Sequence, residues 1–375
     1  INVTHSVNIV SVFGDRITGP GNLLTGTQIQ AESGLEYFDN TGILRAEAFG
    51  HSNEHGNDSW FYAQRGIDFI ARDEWGYNDA LKYQIFNSKP RAEFQRIIIK
   101  AAANDNYPFE GTPNSNYAGE LGGAHIRDSY VHALSQQGNL ELEERSYDAC
   151  ILYVNGQYWG VYETREKVDD SDFLSHYFGQ DEQYRNSPNY IQYLATWGGT
   201  NTEYGMPNAQ PNWDALVNFI TTNNMAIPAN FTYVTSQYKW ASLVDYFVLN
   251  SYIVNHDMLN WNTSWWRGLD TTGSKLKWRY SLWDMDATFN HYTNYTGLPS
   301  TGPSTDPCQI DNLPNPGGQG HTEILTALMN NPTFEQYYIS RYIDLSNTTF
   351  KCTNMIGVLD SLVNMITPEM PGQIA

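Results

Sequence analysis

The sequence is short of cations and of cysteine, and it has no long apolar run. Lys and Arg total 21 against 41 Asp and Glu, so the 375-residue chain carries a formal net charge of −20. A surface of that sign repels nucleic-acid phosphates and anionic membranes, which argues against both as partners. It also raises the local concentration of cations, though solubility outside the cell is the more general use of such acidity. No stretch reaches the roughly 18–20 apolar residues of a membrane span, so membrane insertion is not expected. There is no Cys/His cluster with zinc spacing, no GxGxxG run, no internal repeat and no linker.

Three cysteines cannot all pair. Cys308 and Cys352 sit in polar, loop-like surroundings and are expected to form one bridge in an oxidising compartment, while Cys150 lies in a strand-like run and is expected to be a buried free thiol. The abundance of Tyr (26) and Trp (11) over basic residues is typical of exported proteins, so a secreted or cell-surface location is expected. The first residues, Ile1-Asn2-Val3-Thr4, and the last, Gln373-Ile374-Ala375, read as a mature or excised domain. With 41% hydrophobic and 14% aromatic residues a large core is available, and this length suits two lobes sharing a cleft.

Periodicity predicts strands at 6–13, 25–32 and 43–49. A polar glycine-flanked loop at 50–60 follows, then a strand at 61–72 and a buried strand at 95–100 that ends in Lys100. A loop at 107–121 precedes a helix from 125 to 137. Asn155-Gly156 between apolar alternations predicts a tight hairpin over 146–164. Helices are expected at 171–177, 213–221 and 240–256. Asp245 interrupts the last of these, and must be paired or exposed. A hairpin at 263–282, a Pro/Gly-rich loop at 293–321 and helices at 323–330, 333–345 and 354–366 complete the chain. The expected fold class is α+β, strand-rich to about residue 160 and helical from about 161 to 375.

The segment from Asn255-His256-Asp257 to Asn262, followed by Trp283-Asp284-Met285-Asp286-Ala287-Thr288-Phe289, carries the chemistry. A lone aspartate in such a loop caps a turn. An aspartate with an asparagine five residues on, and a hairpin sized to return an Asp-x-Asp, follows the kinase arrangement instead: proton acceptor, then two metal ligands. Three carboxylates gathered together repel one another unless a cation relieves them. Arg127, near the start of the helix at 125–137, gains nothing from the helix dipole there, which suggests a carboxylate or phosphate partner.

Further blocks join these: Gln64-Arg65-Gly66-Ile67-Asp68-Phe69, Ile126-Arg127-Asp128, and Tyr153-Val154-Asn155-Gly156-Gln157-Tyr158-Trp159-Gly160-Val161-Tyr162. Together they resemble the spore-coat-protein-H (CotH) kinase-like family over most of the chain, in the variant found in secreted or surface proteins of Bacteroidetes-type bacteria. The resemblance implies an atypical protein-kinase-like, two-lobed fold. It implies ATP- and Mg²⁺- or Mn²⁺-dependent phosphorylation of a secreted or surface protein. Asp257 would be the catalytic aspartate, with Asp286, Asp284 and Asn262 holding metal. Arg65, Lys100 and Arg127 would serve the phosphates. Arg65 stands where many members carry lysine, and Lys100 is the alternative. A non-catalytic binding module on the same scaffold, or an AMP transferase, are the competing readings.

Overall fold

The computed structural model describes residues 4–374 other than 58–59, 61, 76–77, 108–122, 182, 184–186 and 188–189. It is a mixed α/β protein of two compact units. The first unit comprises residues 1–126, 145–167 and 359–375, and the second 127–144 and 168–358. The predicted loop at 107–121 lies, from 108 onward, outside the described residues.

The first unit is a closed barrel. Its strands are β1 (Asn8–Phe13), β2 (Ala31–Phe38), β3 (Leu44–His55), β4 (Gly66–Ala71), β5 (Arg96–Lys100), β6 (Tyr147–Val154) and β7 (Gln157–Arg165), in the order β1-β2-β3-β4-β5-β7-β6. A parallel pairing of β1 with β6, Asn8 to Cys150 through Val12 to Val154, closes the ring, and the neighbouring pairs are antiparallel. Alternate residues such as Val10, Val12, Ile97, Ile99, Leu152 and Val154 fill one continuous core, as the two-residue period of a strand requires. Cys150 belongs to that core as a free thiol. The Asn155-Gly156 turn forms as expected, with φ of +49° and +77°, the left-handed pair that a two-residue hairpin needs.

Two readings of the N-terminal stretch are corrected. The strand expected at 25–32 begins only at Ala31, because Leu23–Thr25 is a short 3-10 turn closed by Gly26. The polar run His51 to His55, expected as a loop, continues β3, paired residue by residue with β4 from Ile70 back to Gly66. Polar residues are tolerated there because alternate positions of the strand lie only partly buried.

The second unit is helical, with one small sheet. Its elements include α1 (Arg127–Gln137), α2 (Ser171–Phe178), α3 (Ala209–Thr222), α4 (Pro228–Gln237), α5 (Trp240–Ile253), α6 (His321–Leu328) and α7 (Pro332–Asn347). Strands β8 (Ile191–Thr196), β9 (Thr200–Tyr204), β10 (Thr263–Gly268) and β11 (Arg279–Ser281) pair in the order β11-β10-β8-β9. Helix α8 (Cys352–Ile366) runs from the second unit into the first, which ends in α9 (Met370–Ile374). Helix ends follow local chemistry. Asp170 accepts from Asp172 N at the start of α2, and Asn331 accepts from Thr333 N and Phe334 N before Pro332 opens α7.

Helix α5 is buried nearly all round, including Asp245. That carboxylate is paired: it accepts from Arg341 Nε at 2.7 Å, Arg341 Nη2 at 3.0 Å and Glu141 N at 2.7 Å. The expected bridge between Cys308 and Cys352 is absent, and both thiols are free and exposed. They occupy different surroundings. Cys308 precedes a 3-10 turn, where burial and the carboxylates of Asp311 and Asp306 push its thiol up, while Cys352 opens α8 beside Tyr130.

Candidate functional site

Two segments of the second unit form the site, and each is placed by an element next to it. Helix α5 ends at Val254, which sits at φ +50°, an unusual conformation for a β-branched residue. This break turns the chain out of the helix into Asn255-His256-Asp257. On the other side, the β10–β11 ladder pairs Ser264 with Ser281, so Asn262 and Asp284 both lie just beyond the same end of that hairpin.

Backbone bonds then tie the segments together. His256 N donates to Ala287 O at 2.8 Å and Phe289 N to Ile253 O at 2.8 Å, so Asp257 and Asp286 each stand one residue from the same joint. Thr296 clamps the loop from outside: its N donates to His256 O (2.7 Å), and its hydroxyl lies 2.8 Å from Met258 N and 3.1 Å from Met258 O. From within, Asp257 N donates to Asn255 Oδ1 (2.9 Å), Asn255 Nδ2 to Asn250 Oδ1 (2.7 Å), and Asn250 Nδ2 to Tyr246 O (2.7 Å). That relay anchors the Asn255–Asp257 turn to the buried face of α5.

Asn262 Nδ2 donates to Asp257 Oδ2 at 2.8 Å. The five-residue spacing therefore brings both side chains into contact. Asp257 and Asp286 are buried, at 8% and 4% exposure, while Asn262 and Asp284 are partly buried. Burial lowers the affinity of the His256 imidazole for a proton, aided by His291 and opposed by the carbonyl of Tyr292, so His256 is neutral at physiological pH.

Backbone strain gathers here. Val254, Leu259, Asn262, Asp284, Phe289, Asn290 and Tyr292 all have positive φ, seven of the thirteen such non-glycine residues among those described. Each costs about 1–3 kcal/mol and persists only where its surroundings over-determine it, a property concentrated at functional sites.

The other expected residues are placed as follows. Arg127 opens α1 in the same unit, and its neighbour Asp128 accepts from Met285 N at 2.7 Å. Arg65 and Lys100 belong to the barrel unit. The Arg65 guanidinium bonds the carbonyls of Trp60 (2.9 Å) and Leu24 and lies over the Trp60 ring. Lys100 is buried at the end of β5, opposite Glu163 of β7. Burial first, then the charges of Arg145, Lys167, Lys100 and Arg96, hold the nearby His55 pKa well below its ordinary value. Arg145 and Lys167, which flank the β6–β7 hairpin, were not singled out in the sequence. Their positions just outside an Asn-Gly hairpin were the available signal.

Two exposed tryptophans also escaped notice. Trp197 (51% exposed) stacks on Trp283 at 5.7 Å, and Trp261 (37% exposed) covers Gly198, where a Cβ would meet its ring at 2.9 Å.

A buried aspartate bonded to an asparagine five residues on, and tied to a returning Asp-x-Asp, is the arrangement of a kinase-like protein. A family model described as CotH kinase protein matches residues 113–374, and the chain belongs to that family. No curated protein matches it.

Proposed function

We propose that this chain is an atypical kinase of the secreted or cell-surface type found in Bacteroidetes-type bacteria. It transfers the γ-phosphate of ATP to Ser or Thr hydroxyls of another exported protein, with Mg²⁺ or Mn²⁺. The observation that carries the reading is the 2.8 Å contact between Asn262 Nδ2 and Asp257 Oδ2, on a loop hydrogen-bonded to the Asp284–Asp286 turn.

The donor set fits a hard divalent ion. Asp284, Asp286 and Asn262 offer oxygen only, and among the described residues no group of three His, Cys, Asp or Glu could hold a metal by itself. Magnesium commonly takes one or two carboxylates and completes its shell with phosphate oxygens and water. When bound, the ion would neutralise charge on the transferring phosphoryl group. Asp257 accepts the acceptor hydroxyl proton as the new O–P bond forms and the bond to the β,γ-bridging oxygen breaks, releasing ADP. Asn262 holds the Asp257 carboxylate in orientation. Within the barrel unit, Lys100 and Arg65 are the candidates for a phosphate contact; two Arg65 donors also serve the carbonyls of Trp60 and Leu24. Arg127 is the corresponding candidate in the helical unit.

The test is radiolabel transfer to casein and to the chain itself, with Mg²⁺ or Mn²⁺. Label from γ-³²P-ATP should be incorporated by the wild type and lost in Asp257→Ala. Label from α-³²P-ATP would mean AMP transfer. No incorporation from either, in a folded protein, would favour a binding module.

A further inference from the structure

We infer that Asp128 is a positioning residue for the Asp-x-Asp turn, acting through the backbone of Met285. The inference rests on the phosphoryl-transfer reading above. Asp128 occupies the first turn of α1, where a carboxylate is ordinarily explained by the helix dipole. Its geometry calls for more than that. The residue is 6% exposed, and Oδ1 accepts from Met285 N at 2.7 Å, across 157 residues of chain.

Met285 is the residue between the two aspartates, so fixing its N–H fixes the peptide plane from which Asp284 departs and Asp286 follows. Asp284 is held at φ +50°, where a non-glycine residue stays only under external constraint. Asp128 supplies a constraint from a different element. It is backed one helical turn later by His132, fully buried, whose Nε2 lies 3.4 Å from the same Oδ1. The same first turn of α1 is also fastened within its unit, by Tyr130 OH to Met355 O at 2.9 Å and by the Tyr130 ring against Phe289 at 5.6 Å. The helix that carries Asp128 therefore grips the returning segment at both Met285 and Phe289. Groups that orient metal ligands without touching the metal typically change metal affinity about 10–100-fold when removed.

The experiment compares wild type, Asp128→Asn and Asp128→Ala. Asparagine retains an oxygen for Met285 N; alanine does not. Two readouts are taken: hydrogen–deuterium exchange of the peptide covering 283–289 without metal, and Mn²⁺ affinity by electron paramagnetic resonance in the presence of ADP. Asp128→Ala should speed exchange at 283–289 and weaken Mn²⁺ binding about 10-fold or more, whereas Asp128→Asn should stay within about 3-fold of wild type in both. In transfer assays Asp128→Ala should raise the KM for metal-nucleotide more than it lowers kcat at saturating metal. Unchanged exchange in Asp128→Ala, unchanged Mn²⁺ affinity despite faster exchange, or an asparagine variant as damaged as alanine would each overturn the role. Should Asp128→Ala fail to fold, Asp128→Asn against Asp128→Leu decides it on the same readouts. A wild type that binds no Mn²⁺ with ADP would instead sink the phosphoryl-transfer reading, and this inference with it.

Discussion

Replacing Asp148 with asparagine should stabilise the protein at neutral pH and do nothing in acid. Asp148 lies on β6, where Oδ2 accepts from Asn8 Nδ2 at 2.6 Å and from Tyr37 OH at 3.1 Å. Burial dominates those bonds and, with repulsion from Glu163, raises its pKa to about 6. The folded pKa exceeds the unfolded one, so the fold favours the protonated acid. Its contribution to stability is complete below the unfolded pKa near 4 and is lost as pH rises through about 6. Two pKa units correspond to about 3 kcal/mol, which is a ceiling; about 1–3 kcal/mol is expected. Asparagine keeps an oxygen for both donors and has no charge to desolvate. Urea unfolding of the two proteins should therefore agree below pH 4 and diverge in favour of Asp148→Asn between pH 4 and 6, with the gap constant above that. Comparing the difference cancels all other titrating groups. A gap independent of pH, or an asparagine variant weaker than wild type at pH 8, would refute the reasoning.

Mg²⁺ or Mn²⁺ should raise the wild-type melting temperature, and Asp286→Ala should lose that response. Asp257→Ala should keep most of the metal affinity and lose transfer, as separate thermal-shift and label-transfer measurements can show. Arg341→Met should cost about 3–5 kcal/mol in urea, because it strands the fully buried carboxylate of Asp245; a loss under 1 kcal/mol would mean that Asp245 finds another partner. Thiol titration under denaturing, non-reducing conditions should find three reactive cysteines, in line with three free thiols; one reactive thiol would restore the Cys308–Cys352 bridge.

Much of the architecture could be read from local pattern. The Asn155-Gly156 hairpin, the buried strand ending at Lys100 and helices α1, α5, α7 and α8 all lie where alternation or helical period put them. The Asp257-to-Asn262 interval, and the hairpin that returns Asp284 and Asp286, are short-range features whose geometry depends on little outside the segment. Residue types alone also required that Asp245 be paired if buried.

Closure of the barrel was not legible. The β1–β6 pairing joins strands some 140 residues apart in parallel, and nothing in either strand's own alternation selects that partner. The β8–β9 hairpin was missed because its turn, Trp197-Gly198-Gly199, is stabilised by contact with the 259–263 loop, through Gly198 N to Asn260 O at 2.8 Å and Thr196 Oγ1 to Leu259 O at 2.9 Å. Helix α1 was correctly placed in the chain, yet its membership of the helical unit, and the reach of Asp128 to Met285, depend on packing between elements distant in sequence. Arg65, which the family resemblance assigns to the phosphates, donates from Nε and Nη1 to the carbonyls of Trp60 and Leu24, contacts that its position in the chain did not announce. By itself, then, the sequence determined the local elements and the contact of Asn262 with Asp257, because spacing within one segment is a local constraint. Only the tertiary structure decided which strands pair and which distant groups hold the site in shape, because those choices rest on burial and on buried hydrogen-bond donors that must find acceptors wherever packing brings them.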